Sequence, residues 1–235
     1  MKERNVAIIT ARGGSKRIPK KNIKEFCGAP IITYSIQAAL ESGLFDEVMV
    51  STDSEEIAEL AEKYGASVPF MRSEDTSSDF ATTADVILEV LSEYEKRGKK
   101  FDYACCIYPT APFLTAEKLC VAMKQIKEKD AAQLTPVVAF SFPPQRSFVI
   151  DTDGRMRYKF PEYRQMRSQD LEKMYHDAGQ FYIYKVSSYK NAKGKIAQGM
   201  IPFILPESEV QDIDNEEDWK IAEMKYTILK KNGER

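Results

Sequence analysis

The chain has 235 residues, of which 43% are hydrophobic and 30% are charged, and its net charge is −2. This composition supports a sizeable core and excludes disordered and fibrous proteins, while the lack of a basic excess argues against nucleic acid as the main partner. No apolar run approaches the roughly 18 residues of a membrane-spanning helix, and the amino terminus lacks the features of a signal peptide. We expect a cytoplasmic protein with no membrane partner, whose four cysteines are reduced and buried: Cys27, Cys105, Cys106 and Cys120.

Short apolar runs alternate with longer segments of helical periodicity along most of the chain. Up to residue 140 this pattern predicts strands at Asn5–Thr10, Glu47–Ser51, 66–70, 102–108 and 133–140 and helices at 30–42, 54–64, 83–97 and 115–129. Beyond residue 177 it predicts strands at 180–185 and Met200–Leu205, a short helix between them, and a terminal helix from about Asn215, in which Trp219 is a packing anchor.

Strands that are separated by helices of this length imply crossover connections. The sequence therefore predicts an α/β fold with a mainly parallel sheet and helices on both faces. We interpret residues 1–235 as a single domain in which 141–177 form an insertion. This excursion is rich in arginine and aromatic residues, with a hairpin near Asp153-Gly154, and such a composition is typical of interfaces and anion sites. A plain surface flap is the alternative.

The loop after the first strand contains five cations around a Gly-Gly pair: Arg12, Lys16, Arg17, Lys20 and Lys21. Glycine permits tight turns and lets backbone N–H groups point at an anion. Because the five cations repel one another unless a polyanion lies among them, we expect a triphosphate here. The loop matches neither the Walker A motif nor the dinucleotide-binding Gly-x-Gly-x-x-Gly. A solvated basic loop is the alternative.

Two carboxylates near the end of the chain, Asp212 and Asp214, are two residues apart. In an extended segment such residues point to the same side, and Mg²⁺ relieves their repulsion. The alternative is structural, with Asp214 beginning the last helix and Glu217 completing a capping box. His176 is the only histidine, and no Gly-x-Ser-x-Gly motif accompanies it, so we expect it beside a substrate or in a hydrogen-bonded turn.

Several segments resemble the cytidylyltransferases that activate nine-carbon acidic sugars, the CMP-sialic acid synthetase family. They are ARGGSKRIPKKN at 11–22, STDSEEIA at 51–58, YPTAP at 108–112 and DID at 212–214. Within that family the chain is most similar to the pseudaminic acid branch, through TSSDFATT at 76–83 and YHDAGQFY at 175–182. The resemblance implies a Rossmann-like nucleotidyltransferase fold and a homodimer formed through the excursion.

The resemblance also implies roles for individual residues. Arg12, Ser15, Lys16 and Lys21 would hold the CTP phosphates, and Gly13 and Gly14 would also belong to the nucleotide site. Asn22 would lie near the cytosine, and Arg72 and Thr83 match further nucleotide-binding positions. Tyr108 replaces a glutamine that faces the sugar in sialic acid synthetases, and His176 and Gln180 complete the expected sugar site. Asp212 and Asp214 match the metal-binding aspartates.

The implied reaction transfers CMP from CTP to the anomeric hydroxyl of an acidic nine-carbon sugar and releases pyrophosphate. Arg12, Lys16 and Lys21 would stabilise the leaving group, while Asp212 and Asp214 would hold the magnesium ion. Pseudaminic acid is the expected substrate. Legionaminic acid, sialic acid and 3-deoxy-manno-octulosonate are alternatives, as is a non-catalytic protein that senses nucleotides.

Overall fold

The computed structural model describes residues 3–231 and 233. Its strands are β1 (Asn5–Thr10), β2 (Glu25–Phe26), β3 (Ala29–Pro30), β4 (Glu47–Ser51), β5 (Tyr103–Ile107), β6 (Gln133–Ala139), β7 (Phe148–Ile150), β8 (Met156–Tyr158), β9 (Tyr175–Asp177), β10 (Phe181–Lys185) and β11 (Met200–Leu205). Its α-helices are α1 (Ile32–Glu41), α2 (Glu55–Lys63), α3 (Glu74–Ser77), α4 (Thr83–Lys96), α5 (Ala116–Glu128), α6 (Val186–Asn191) and α7 (Glu216–Lys231). Single 3₁₀ turns form at Lys21–Ile23, Pro144–Arg146, Pro161–Tyr163, Ser168–Asp170 and Glu207–Glu209.

A seven-stranded sheet forms the centre, in the order β11-β6-β10-β5-β1-β4, and β9 pairs with the free end of β6. β1 is parallel to both β4 and β5, and β11 is parallel to β6. β10 runs antiparallel to β5 and β6, and β9 runs antiparallel to β6. All strands of this sheet except β9 and β10 therefore point the same way, which confirms the predicted mainly parallel sheet.

Helices cover both faces of the sheet, as predicted. Successive residues of a strand point to opposite faces, so Ala7 and Ile9 pack in one layer while Val6 and Ile8 pack in the other. The first layer includes apolar residues of α1, α2 and α5, and the second includes those of α4 and α6. A third cluster holds α7 through Trp219, which is buried as predicted and meets Phe26 edge to face.

The predicted strand at 66–70 is wrong. Only Ser67 joins the sheet, where its N–H donates to Val48 O at 2.8 Å and its carbonyl accepts from Val50 N at 2.9 Å. Pro69 follows two residues later and has no N–H to continue the ladder. Cys105 and Cys106 are buried in β5, but the expectation of burial is wrong for Cys27, in a turn after β2, and for Cys120, on the outer face of α5.

The excursion at 141–177 leaves the sheet after β6 and returns through β9. It contains the expected hairpin, in which β7 pairs with β8 around Gly154, a residue with φ of 80°. Most of its side chains are exposed, including Phe142, Ile150 and Met156. Within residues 3–231 and 233, no helix combines the length and the apolar character that crossing a bilayer requires.

Candidate active site

The basic loop leaves the carboxyl end of β1, which is where ligands bind in sheets of this type. It borders an open cleft of about 420 Å³. The loop contributes Arg12, Ser15, Lys16, Arg17, Ile18, Lys21 and Asn22 to the cleft wall, and Tyr108, Pro109, Thr110 and Asp214 face them from other segments. The structure thus brings most of the expected phosphate ligands together with one of the two aspartates.

Carboxylates pair with the cations of this loop. Arg12 and Lys16 both contact Asp79, at 2.9 and 2.5 Å. Lys20 contacts Glu56 at 2.7 Å, and Arg17 contacts Asp214 at 2.8 Å. The expectation that only a bound polyanion could offset the repulsion among these cations is therefore wrong, because carboxylates from three other segments already do so.

The backbone of the loop is held by two polar side chains. The N–H of Gly13 donates to Asp53 Oδ1 at 2.7 Å, so it points at a carboxylate of the protein itself. A Cβ atom at Gly13 would lie 3.1 Å from Ser54 Cβ, which explains why the smallest residue stands there. Asn22 is buried, and its Nδ2 donates to the carbonyl of Arg12 at 2.8 Å. Gly14 has open space around it.

Lys21 connects the basic loop to the aspartate segment. Its Nζ donates to the carbonyl of Ile213 at 2.7 Å and lies 3.9 Å from Asp214. Burial lowers the pKa of Lys21, and the negative charges of Asp214 and Asp212 oppose this shift. The ammonium group is therefore fixed between the cleft of the basic loop and the aspartate segment.

Asp212 and Asp214 border two different clefts. Asp214 borders the cleft of the basic loop, and Asp212 borders a second cleft of about 410 Å³. Burial and then the charge of Asp214 raise the pKa of Asp212. Among the residues that the structure describes, the Asp212 carboxylate has no hydrogen-bond or ion-pair partner, and no cluster of three or more metal-ligating side chains occurs.

The start of α7 shows which residue caps this helix. The side chain of Asn215 accepts from the N–H groups of Glu217 and Asp218, at 2.8 and 3.0 Å. Asp218 in turn accepts from the N–H groups of Asp214 and Asn215. The alternative in which Asp214 caps the helix with Glu217 is therefore wrong, since Asn215 and Asp218 form the capping box and leave the Asp214 carboxylate to Arg17 and Lys21.

Of Tyr108, Thr83 and Arg72, Tyr108 borders the first cleft and the other two do not. Burial raises the pKa of Tyr108, while hydrogen bonds with Thr83 and Tyr182 oppose this shift. Thr83 is the first residue of α4. Arg72 does not border the cleft, because its guanidinium donates to the Oγ and carbonyl of Ser51 at 3.0 and 2.7 Å.

The remaining expected sugar ligands, His176 and Gln180, do not border the first cleft, although the carbonyl of Gln180 accepts from Tyr108 N at 2.8 Å. His176 borders the second cleft, where its ring packs against Phe140 with centroids 4.8 Å apart and its Nδ1 lies 2.9 Å from the carbonyl of Asp177. Gln180 is only 2% exposed, and its Nε2 donates to the carbonyl of Glu209 at 2.6 Å. Gln180 therefore supports the wall from inside and does not face either cleft.

Sequence reasoning missed three polar residues of this region: Asp79, which contacts Arg12 and Lys16, Asp53, which accepts from the loop backbone, and Lys225 in the second cleft. The resemblance drew attention to the segments that contain Asp53 and Asp79, but no pattern indicated what they touch. Lys225 lies in α7, where its spacing resembles that of any solvated helical lysine.

Comparison with known proteins identifies the family of this chain. The cytidylyltransferase family model matches residues 6–211. The chain is 40% identical to the pseudaminic acid cytidylyltransferase of Campylobacter jejuni, over 96% of this chain and 97% of the relative. It is 34% identical to the CMP-N,N'-diacetyllegionaminic acid synthase of Legionella pneumophila, over 94% and 95% of the two chains.

A solved structure shows the same fold at low sequence identity. CMP:2-keto-3-deoxy-manno-octonic acid synthetase, determined with CTP, superposes with a TM-score of 0.70 and 16% identity. The match covers 97% of this chain and all of the other. The fold, the basic loop at the end of β1 and the similarity along nearly the whole chain agree with one another: this chain is a member of the cytidylyltransferase family.

Proposed function

We propose that this protein is a pseudaminic acid cytidylyltransferase, which transfers CMP from CTP to the anomeric hydroxyl of pseudaminic acid and releases pyrophosphate. The choice of substrate rests on the 40% identity to the Campylobacter jejuni enzyme over 96% of the chain. The cleft lined by the basic loop supports the nucleotide part of the proposal, because it gathers cations at the carboxyl end of β1.

In this proposal the protein positions charged groups and supplies little covalent chemistry. Arg12, Lys16 and Lys21 bind the triphosphate and offset the charge that develops on the leaving pyrophosphate. Gly13, Gly14 and Ser15 shape the loop around the phosphates. Asn22 and Thr83 lie toward the base and ribose. Arg72 acts indirectly, through Ser51, whose carbonyl also accepts from the N–H of Ala11 at the start of the basic loop.

Asp212 and Asp214 fit a Mg²⁺ ion. Both offer the oxygen ligands that Mg²⁺ prefers, and the ion usually takes one or two carboxylates and completes its shell with water and substrate phosphates. The raised pKa of Asp212, without a hydrogen-bond or ion-pair partner among the described residues, marks a carboxylate whose charge a cation would stabilise. Bound there, Mg²⁺ would polarise the α-phosphate and acidify the attacking hydroxyl.

The sugar would occupy the second cleft and reach the α-phosphate past the two aspartates. His176 and Lys225 border that cleft, and a lysine beside it suits a substrate with a carboxylate. Tyr108 would face the sugar from the nucleotide side. Gln180 would act indirectly, by holding the carbonyl of Glu209 under the cleft wall.

We further propose a homodimer formed through the excursion at 141–177. Its exposed apolar side chains include Phe142 at 84% and Ile150 at 74% exposure, and a second copy of the chain would cover them. We place the enzyme in the cytoplasm, which supplies CTP and suits a chain with four free thiols.

The test is pyrophosphate release with CTP and a panel of acidic sugars. We expect turnover with pseudaminic acid at least tenfold above legionaminic acid, sialic acid and 3-deoxy-manno-octulosonate. The Legionella relative makes legionaminic acid the second candidate, and preference for it would change the substrate but not the reaction class. No release with any sugar would favour the nucleotide-sensing alternative.

The nucleotide is tested separately, by competition binding of CTP, ATP and GTP. We expect CTP to bind most tightly, since a cytidylyltransferase has to distinguish the base. Equal affinity for the three nucleotides would contradict the assignment of CTP.

A further inference from the structure

The carboxylate of Asp79 lies on two of the cations that we assign to the triphosphate. Its Oδ1 accepts from Arg12 at 2.9 Å and its Oδ2 accepts from Lys16 Nζ at 2.5 Å. Both cations line the cleft. The hydrogen bonds from Lys16 and Arg12 lower the pKa of Asp79, so this side chain is ionised at neutral pH and uses the donors that phosphate oxygens need.

Asp79 is held less firmly than Glu56 and Asp214, the other two carboxylates that contact cations of the basic loop. It belongs to the irregular segment 78–82 between α3 and α4, and half of its side-chain surface is exposed. The next residue, Phe80, is 94% exposed, so its ring does not anchor the segment by packing. By contrast, Glu56 is part of α2 and binds Lys20, which does not line the cleft, and Asp214 is tied to the capping box of α7.

We propose that Asp79 is an internal competitor of the triphosphate. In the free protein it keeps Arg12 and Lys16 in place, and it leaves them when phosphate oxygens bind, because a carboxylate that remained there would repel the phosphates. This inference rests on the proposed function, which takes Arg12 and Lys16 to be phosphate ligands. The apparent affinity for any polyphosphate is then the intrinsic affinity multiplied by the fraction of molecules in which Asp79 has left the cations.

The competition has a consequence for the reaction as well as for binding. Pyrophosphate, the leaving group, would contact the same two cations, so the return of Asp79 favours its departure. Asp79 is therefore a positioning residue that weakens the binding of CTP and pyrophosphate together.

The experiment measures the dissociation constants of pyrophosphate and CTP by calorimetry at low salt, for the wild-type protein, Asp79→Asn and Asp75→Asn. Asp79→Asn should bind both ligands about three- to tenfold more tightly, the range that follows from removing two exposed ion pairs. Asp75→Asn removes the same charge from neighbouring α3, where Asp75 has no ion-pair partner among the described residues, and should bind like wild type.

A third variant, Arg12→Ala, separates failure of this inference from failure of the assigned site. If Arg12→Ala weakens pyrophosphate binding while Asp79→Asn leaves it unchanged or weaker, the competition is wrong and the phosphate site stands. If Arg12→Ala binds pyrophosphate as wild type does, the assignment of the cleft is wrong and the inference falls with it. Tighter binding by both Asp79→Asn and Asp75→Asn would show that the effect comes from the change in net charge, and it would also overturn the inference.

Discussion

The basic loop at 11–22 and the excursion at 141–177 are both rich in cations, but they hold them differently. The loop cations contact carboxylates from distant segments, such as Asp79 and Asp214. In the excursion the arginines pair locally, as Arg157 does with Asp151 and Arg167 with Asp170. The cleft of the basic loop is therefore assembled from several elements of the chain, whereas the excursion is organised within itself and exposes apolar side chains.

The strongest test of this contrast concerns Asp212 and Asp214, the two carboxylates that border the clefts. Replacing Asp212 or Asp214 by Asn keeps the size of the side chain but removes a charged ligand. We expect turnover to fall by about 10²–10³-fold, the scale seen when one preorganised electrostatic contact is lost, with a higher Mg²⁺ requirement. Steady-state rates against Mg²⁺ concentration measure both effects, and wild-type behaviour of both variants would remove the metal assignment.

The second test concerns the excursion. Ile150→Glu places a charge on its exposed apolar surface and should weaken dimerisation by about 30-fold or more, as the loss of an interface hot spot does. Val121→Glu is the matched control, because Val121 is exposed at 55% but lies on α5. Sedimentation over a range of concentrations compares the two. An active wild-type monomer at micromolar concentration would contradict the dimer.

The third test asks whether Tyr108 belongs to the sugar side or to the nucleotide side of the site. Tyr108→Phe removes the hydroxyl that bonds with Thr83 and Tyr182 and should raise the KM for the sugar about tenfold, the effect of losing one or two hydrogen bonds. The KM for CTP should stay within about twofold of wild type. A rise confined to the KM for CTP would instead assign Tyr108 to the nucleotide.

The smallest expected effect is on stability. Asn215→Ala removes the cap of α7 and should lower the free energy of unfolding by about 1 kcal/mol. Asp214→Ala should cost less, since its pair with Arg17 is exposed to solvent. Chemical denaturation measures both variants, and the reverse order would return the capping role to Asp214.

Much of the fold follows from local pattern. β1 and β4 have the predicted bounds because each is a continuous apolar run between polar loops. The run at 66–70 looked similar, but Pro69 limits its pairing to one bridge. The residue that caps α7 is Asn215, one position after the Asp214 of the predicted alternative, because a sequence pattern does not fix a helix boundary to one residue.

The site was predictable only in part. The glycines and cations of the basic loop are contiguous, so their proximity follows from the sequence. The contact between Asp79 and Arg12 joins residues 67 positions apart, and that between Lys21 and Ile213 joins residues 192 apart. Such contacts depend on how the crossovers are arranged, which single-sequence pattern does not specify. For the same reason, the burial of Gln180 and the second cleft emerged only from the structure.

A crystal structure of the protein with CTP and Mg²⁺ tests most directly whether the basic loop holds the triphosphate. We expect the phosphate oxygens to contact Arg12, Lys16 and Lys21, with Asp79 withdrawn and a metal ion between the phosphates and Asp212. A triphosphate bound outside this cleft, with Arg12 and Lys16 still on Asp79, would contradict the assignment.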